Sequence, residues 1–270
     1  MLKNTFLTIL LIAYLCAIVG QDRPVGAGSA GLGGSSVMLE DVWTVINNPA
    51  GMAGRSHVSL GTSLEQRYFL KELGNYALAA AFPAGNGCFG LGAVFSGYAS
   101  WIDQRLIVGY GRSFGHRLMT GINLIYIYQK AGGESPAMHQ VGYKIGAMVH
   151  LTDRFSLGFA TFNPFGFYYK SKPYATLPGN IRLGMAYRYS REFLLTVEVE
   201  KEMDHSPSIM AGCEIIFKEL IFIRLGIRAL PVQCSFGAGV RYQRFLLEFS
   251  SLYHQYLGFT PIISIQYDIR

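Results

Sequence analysis

The run IRLGMAYRYS, residues 181–190, alternates without a break: Ile181, Leu183, Met185, Tyr187 and Tyr189 share one face, and Arg182, Gly184, Ala186, Arg188 and Ser190 share the other. Successive side chains of a strand point to opposite sides of its sheet. A period of two with one greasy face and one polar or very small face therefore marks a strand with two different surroundings. The next run repeats it, with Phe193, Leu195, Val197 and Val199 against Thr196, Glu198 and Glu200. So do Ile221, Ile223, Leu225 and Ile227 against Arg224, Gly226 and Arg228, and Cys234, Phe236, Ala238, Val240 and Tyr242 against Gln233, Ser235, Gly237, Gly239 and Arg241.

Working outward from these runs, the alternation predicts strands near 57–65, 74–82, 88–98, 104–113, 117–129, 138–151, 154–163, 179–190, 192–202, 207–217, 219–229, 232–243, 244–254 and 259–270, fourteen in all. An even number of short alternating segments joined by turns such as Thr152-Asp153 and Ser190-Arg191 is the pattern of an up-and-down membrane barrel. The expected fold is all-β: a fourteen-stranded antiparallel transmembrane β-barrel over residues 56–270. That length leaves only a few more positions per strand than the roughly 9–11 residues of a tilted bilayer crossing, so the connections are short. The longest stretches without alternation, residues 163–177 and 130–137, are the expected ordered loops.

Composition agrees. Half of the 270 residues are hydrophobic, 14% are aromatic and 15% are charged, against roughly 25% charged in a soluble domain. After residue 20 no unbroken apolar run reaches the roughly 18 residues of a membrane helix. Little charge, 32 glycines and 35 Tyr plus Phe fit a barrel with one face in lipid better than a soluble sandwich with two wet faces. The net charge of +6 comes from dispersed residues, with no Lys/Arg cluster, so nucleic acid is not an expected partner. Outer-membrane lipid is.

Residues 1–20 have a basic Lys3 and an apolar core from Phe6 to Val19, followed at once by polar QDRP; this is the layout of a cleaved secretory signal. A lipoprotein site at Cys16 is disfavoured by the bulky Leu15 before it. Removal of the signal leaves Cys88, Cys213 and Cys234, an odd number without C-x-x-C spacing, which predicts no disulfide framework. Between signal and barrel, residues 21–55 form a distinct Gly-rich segment, expected to be a plug or hatch.

Charges on the polar face are of mixed sign: Lys144, Arg182, Arg188, Arg224, Arg228, Arg241 and Arg270 against Glu198, Glu200, Glu214, Glu248 and Asp268. A selectivity ring needs one sign at one depth, so these are expected to pair across the lumen. Glycines on the same face, among them 109, 111, 121, 142, 146, 158, 184, 212, 226, 237 and 239, leave the inner wall locally without side chains. Such positions suit the close approach of another backbone.

Gly26-Ala27-Gly28-Ser29-Ala30-Gly31 satisfies G-x-G-x-x-G, but it follows a signal rather than a strand, so no nucleotide site is expected. The six histidines are scattered over different segments and no nucleophile triad, carboxylate pair or metal-ligand spacing stands out. The expectation is a protein that is not an enzyme and carries no cofactor.

In Asn48-Pro49-Ala50-Gly51-Met52, proline removes an amide donor and holds Asn48 out of the helical region, ending a helix-like piece over residues 39–47. Together with the upstream glycines, this segment resembles the N-terminal signature of the FadL-type outer-membrane transporters and their PorV/PorQ relatives. The matching residues are Gly28, Gly31, Gly33, Gly34, Ser35, Glu40, Asp41, Asn48, Pro49, Ala50, Gly51, Met52 and Ala53. The chain is short for either branch, which leaves little for long external loops.

The resemblance implies location in the bacterial outer membrane and two competing functions. In the first, by likeness to PorV/PorQ, the chain is a non-catalytic subunit of a protein secretion or outer-membrane assembly complex, bound to a larger barrel through its aromatic outer wall or residues 163–177. In the alternative, by likeness to FadL, it passes a lipid or other small hydrophobic ligand that enters near the hatch and leaves through a break in the wall; the polar inward residues weigh against this. A third reading, a water-filled pore, predicts ion conductance.

Overall fold

The computed structural model describes residues 22–98, 101–131, 136–164, 177–203 and 205–269. Fourteen antiparallel strands close into one barrel, each beside its neighbours in sequence and the first beside the last. They are β1 (Val58–Gln66), β2 (Gly74–Ala84), β3 (Gly87–Tyr98), β4 (Trp101–Phe114), β5 (Leu118–Ala131), β6 (Met138–His150) and β7 (Phe155–Phe162). The second half comprises β8 (Asn180–Arg188), β9 (Phe193–Glu202), β10 (Ser208–Phe217), β11 (Ile221–Arg228), β12 (Gln233–Tyr242), β13 (Phe245–His254) and β14 (Gly258–Ile269). Closure leaves no sheet edge, so every strand finds its backbone partners within the wall, as a lipid surround demands.

The alternation becomes two faces. Leu183, Leu225, Val240 and Leu247 are exposed on the outside, while Arg182, Arg224 and Glu248 are buried inside. Rings flank the aliphatic band: Phe245 stacks near Tyr267 at 4.7 Å at one end of the β13–β14 hairpin, and Tyr253 near Phe259 at 4.9 Å at the other. Amphipathic rings at both borders of an apolar band are the girdles of an outer-membrane barrel. The chain is a barrel of the bacterial outer membrane.

Turns at the end where β1 begins and β14 finishes are tight, at 85–86, 115–117, 151–154, 189–192, 218–220 and 243–244. The longer connection 67–73 lies at the opposite end, as do the end of β7 and the start of β8. Tight turns mark the periplasmic side and longer loops the outside. Strand β4 starts at Trp101 rather than near 104, because Gly97 takes a positive φ of 116° and Trp101 pairs directly with Tyr98. The expected signal (residues 1–20), most of 163–177, much of 130–137 and Arg270 lie outside the described residues.

Residues 22–54 run inside the barrel and are almost wholly buried there. Only two short α-helices form, α1 (Ala27–Gly31) and α2 (Thr44–Asn47), followed by a 3-10 turn at Pro49–Gly54. The helix-like piece expected over 39–47 is therefore shorter. The Trp43 N–H donates to the Asp41 carboxylate at 2.9 Å and the Val42 N–H to Gln266 Oε1 at 3.1 Å, so side chains take the donors at its start. Asn48 is extended, and its Oδ1 accepts the Ala50 N–H at 3.2 Å, capping the 3-10 turn.

Candidate functional site: the filled lumen

An irregular segment inside a barrel carries backbone groups that neither helix nor water satisfies, and buried peptide groups need partners. The inner wall supplies them. The Ser235 hydroxyl accepts the Gly33 N–H at 2.9 Å and donates to the Gly31 carbonyl at 3.0 Å. Arg182 Nη2 donates to the Gly34 carbonyl at 2.8 Å, and Glu198 Oε2 accepts the N–H groups of Ser36 and Val37 at 2.8 and 3.0 Å. Asn123 and Lys144 donate to the carbonyls of Val45 and Ile46, both at 2.8 Å.

The motif residues of the segment meet the wall where it has no side chains. A Cβ on Gly226 would lie 2.1 Å from the Gly33 nitrogen, and one on Gly121 or Gly146 would press on Pro49, Ala50 or Asn48. Gly28 faces Arg224 and Glu248, and Gly31 faces Ser250 and Gly237. Gly33 and Gly34 take positive φ values of 73° and 90°, a turn that favours glycine. Gly51 packs under Thr44, and Asn48 Nδ2 ties back to the Val37 carbonyl at 2.7 Å.

Of the twelve strand charges singled out in sequence, eight join this interface, Asp268 pairs with Arg55 at 2.8 Å near the start of β1, and Arg270 lies outside the described residues. Arg182 pairs with Glu198 at 2.6 Å and approaches Glu200 at 3.6 Å, and Glu200 also holds Arg228. Arg224 bridges Glu214 at 2.6 Å and Glu248 at 2.5 Å. The latter contact passes over the glycines of β12, which leave the guanidinium room. Lys144 pairs with Asp22 at 2.6 Å. The expectation of pairs spanning the lumen is corrected: those among strand residues run along the wall between strands at most two apart, because the segment occupies the middle. Arg188 and Arg241 stand apart from the network and are exposed; the Arg241 guanidinium lies 5.0 Å over the Phe222 ring.

Sequence reasoning missed the apolar part of the lumen. Val94, Ile107, Ile125, Ile127 and Phe162 are buried on the inner wall of β3 to β7, in one cluster with Val25, Trp43 and Ile46 of the segment. A signal was present, since LIYIY (residues 124–128) is apolar on both faces. Cavities flank the segment toward both ends. One of about 60 Å³ lies toward the outer end between residues 23–34 and the strands around β1 and β14. Another, of about 160 Å³ and lined by Glu40, Arg55, His57 and Asp268, opens at the periplasmic end.

Among solved structures, the toluene transporter TodX of P. putida matches with a TM-score of 0.71 at 11% identity, over 93% of this chain and 100% of its own. The toluene transporter TbuX of Ralstonia pickettii gives 0.71 at 10% identity over 93% and 100%, and the monoaromatic hydrocarbon channel CymD gives 0.70 at 12% over 91% and 98%. The fold is that of the FadL-type outer-membrane barrels. No protein-family model matches the chain, and no curated protein does.

This likeness corrects the functional expectation. These three proteins, which share the architecture across more than nine-tenths of the chain, are by name hydrocarbon channels and transporters, and none is named as a secretion or assembly subunit. The PorV/PorQ branch, and with it the larger partner barrel, has no support. The misreading came from chain length and from weighting the polar C-terminal strands, while the apolar inner face of β3 to β7 went unseen.

Proposed function

We propose that this chain is a passive channel for small hydrophobic molecules, with residues 22–54 acting as its plug. The observation that carries the reading is the apolar cluster inside the barrel: a closed wall that buries Val94, Ile107, Ile125, Ile127 and Phe162 on its inner side offers an apolar solute a surface that a water-filled pore does not. The architecture held in common with hydrocarbon channels supports it. The solute enters from the outer end, where the connections are longer, meets that cluster, and passes when residues 22–54 shift. A packed plug held by hydrogen bonds keeps ions and water out meanwhile.

The test is uptake of radiolabelled toluene by a Gram-negative host without hydrocarbon channels of its own, with and without the chain in its outer membrane. Faster initial uptake, reduced by Ile127→Arg, is the expected result. Uptake equal to that of the empty host overturns the reading.

A further inference from the structure

Cations that are scattered along the sequence meet at one end of the barrel. The six periplasmic turns, with the three strand residues on either side of each, carry eight Lys or Arg against three carboxylates, Asp153, Glu192 and Glu219, and all of these are exposed. Six of the cations lie on one arc of the rim: Arg154, Arg188 and Arg191 around β7 to β9, and Lys218, Arg241 and Arg244 around β10 to β13. None of the eight makes an ion pair with another described residue. At the outer end, by contrast, Arg67 pairs with Glu65 at 2.7 Å and Arg105 with Asp103 at 3.1 Å.

The fold also presses these charges together. The Arg188 N–H donates to the Arg154 carbonyl at 2.7 Å, so two arginines stand opposite each other between neighbouring strands, where like charges repel. The Arg241 N–H donates in the same way to the Leu220 carbonyl at 2.7 Å, which sets the 218–220 turn beside it. Repulsion among unpaired cations is relieved by an anion supplied from outside the chain.

Depth identifies that anion. Tyr189, Phe217, Tyr242 and Phe245 each adjoin one of the six cations in sequence and are exposed, in the same border ring as the Phe245–Tyr267 pair. Aromatic belts sit at the level of the lipid headgroups, and the long stems of Lys and Arg carry their charge into that layer. Turns of two to four residues project little beyond it. Lipid phosphates surround this rim at all times, and an acidic soluble protein would have to outcompete them.

We infer that this arc is a binding surface for anionic phospholipid headgroups, phosphatidylglycerol or a related phosphodiester, in the inner leaflet of the outer membrane. The inference is independent of the channel reading and holds whether or not a solute passes. Each Lys or Arg near an anionic bilayer surface favours it by about 1 kcal/mol, roughly fivefold.

The test places the folded barrel in phosphatidylcholine vesicles and reads, by electron spin resonance, how strongly spin-labelled phosphatidylglycerol associates with it relative to spin-labelled phosphatidylcholine. At low salt the ratio is expected to be roughly two to five, the upper value being the share of one such cation. It should fall toward one in about 1 M salt, where the screening length is about 3 Å. Changing all six cations of the arc to glutamine should bring it to about one at low salt, and the pair Arg154→Gln, Arg188→Gln should lower it part of the way. Lys71→Gln with Lys130→Gln, at the outer end, should leave it unchanged. Heat-modifiable gel migration shows that each variant is folded. A ratio of one for the unaltered chain leaves the arc to an acidic protein and overturns the inference. So does a ratio indifferent to salt, one unmoved in the folded arc variants, or one lowered as much by the outer-end pair.

Discussion

Glu198 accepts the backbone N–H of Ser36 at 2.8 Å from a position fully inside the barrel, and the same oxygen takes the N–H of Val37. Arg182, its ion-pair partner, donates to the carbonyl of Gly34. One salt bridge of the wall thus grips both the donors and the acceptor of a single turn. Hydrogen bonds to charged groups contribute about 1.5–3 kcal/mol each, so this pair is a main anchor of the segment.

Replacing Glu198 with alanine removes both acceptor contacts and leaves Arg182 with the Gly34 carbonyl and, 3.6 Å away, the carboxylate of Glu200. Breaking a buried pair costs about 3–5 kcal/mol. Amide hydrogen exchange at residues 34–37 should accelerate at least tenfold while the amides of β8 and β9 stay protected. Equal protection in the variant would show that the grip does not hold the segment.

Asp41 gives the segment a pH dependence. Burial, with the nearby charge of Glu248, raises its carboxyl to about 7, against the opposing pull of Arg55, Arg224 and the Trp43 N–H. A raised folded-state value means that the folded form binds the extra proton, so its stabilisation is full below the unfolded value near 4 and is lost as pH rises through 7. Protease cleavage within residues 36–47 should therefore increase from pH 5 to pH 8. Asp41→Asn, which has no proton to lose, should flatten that profile.

Arg224 sits between Glu214 and Glu248, and its loss leaves two carboxylates buried beside each other. Arg224→Met should lower the thermal unfolding midpoint of the barrel markedly, in line with about 3–5 kcal/mol for an uncompensated buried charge. Changing all three to Met, Gln and Gln should restore most of it, since replacing a whole buried ionic group is often neutral. A triple variant as unstable as the single one would argue against charge imbalance as the cause.

Alternation made the wall legible because lipid and lumen impose opposite demands on successive residues. Arg182, Gly184 and Ala186 read as inward on a pattern that needs no knowledge of partners. What those residues touch was not legible, since Glu198 could as well have faced another charge as the amides of Ser36 and Val37. The inner apolar cluster escaped for a physical reason: where Ile125 and Ile127 pack on the segment while Leu124 and Tyr126 face lipid, both faces are apolar and the period of two vanishes. Residues 39–43 were misread as helical because their turns are set by Asp41 and Gln266, the latter more than two hundred positions away.

The glycines of the wall make the sharpest test of how the segment is seated. A Cβ on Gly121 would lie 2.4 Å from the carbonyl carbon and oxygen of Pro49, and those are backbone atoms that no rotamer change can move. Gly111 and Gly146, on the flanking strands, meet the same turn, so the turn has nowhere to slide sideways. Gly121→Val should suit the strand itself, since β-branched residues are favoured there, and its new side chain points only inward. The barrel should still show heat-modifiable migration, but with residues 49–54 forced off the wall it should conduct ions in planar bilayers, where the unaltered chain is closed. Thr120→Leu, one position along and facing outward, should leave conductance at the unaltered level. If Gly121→Val is folded and equally closed, residues 49–54 do not seal the lumen.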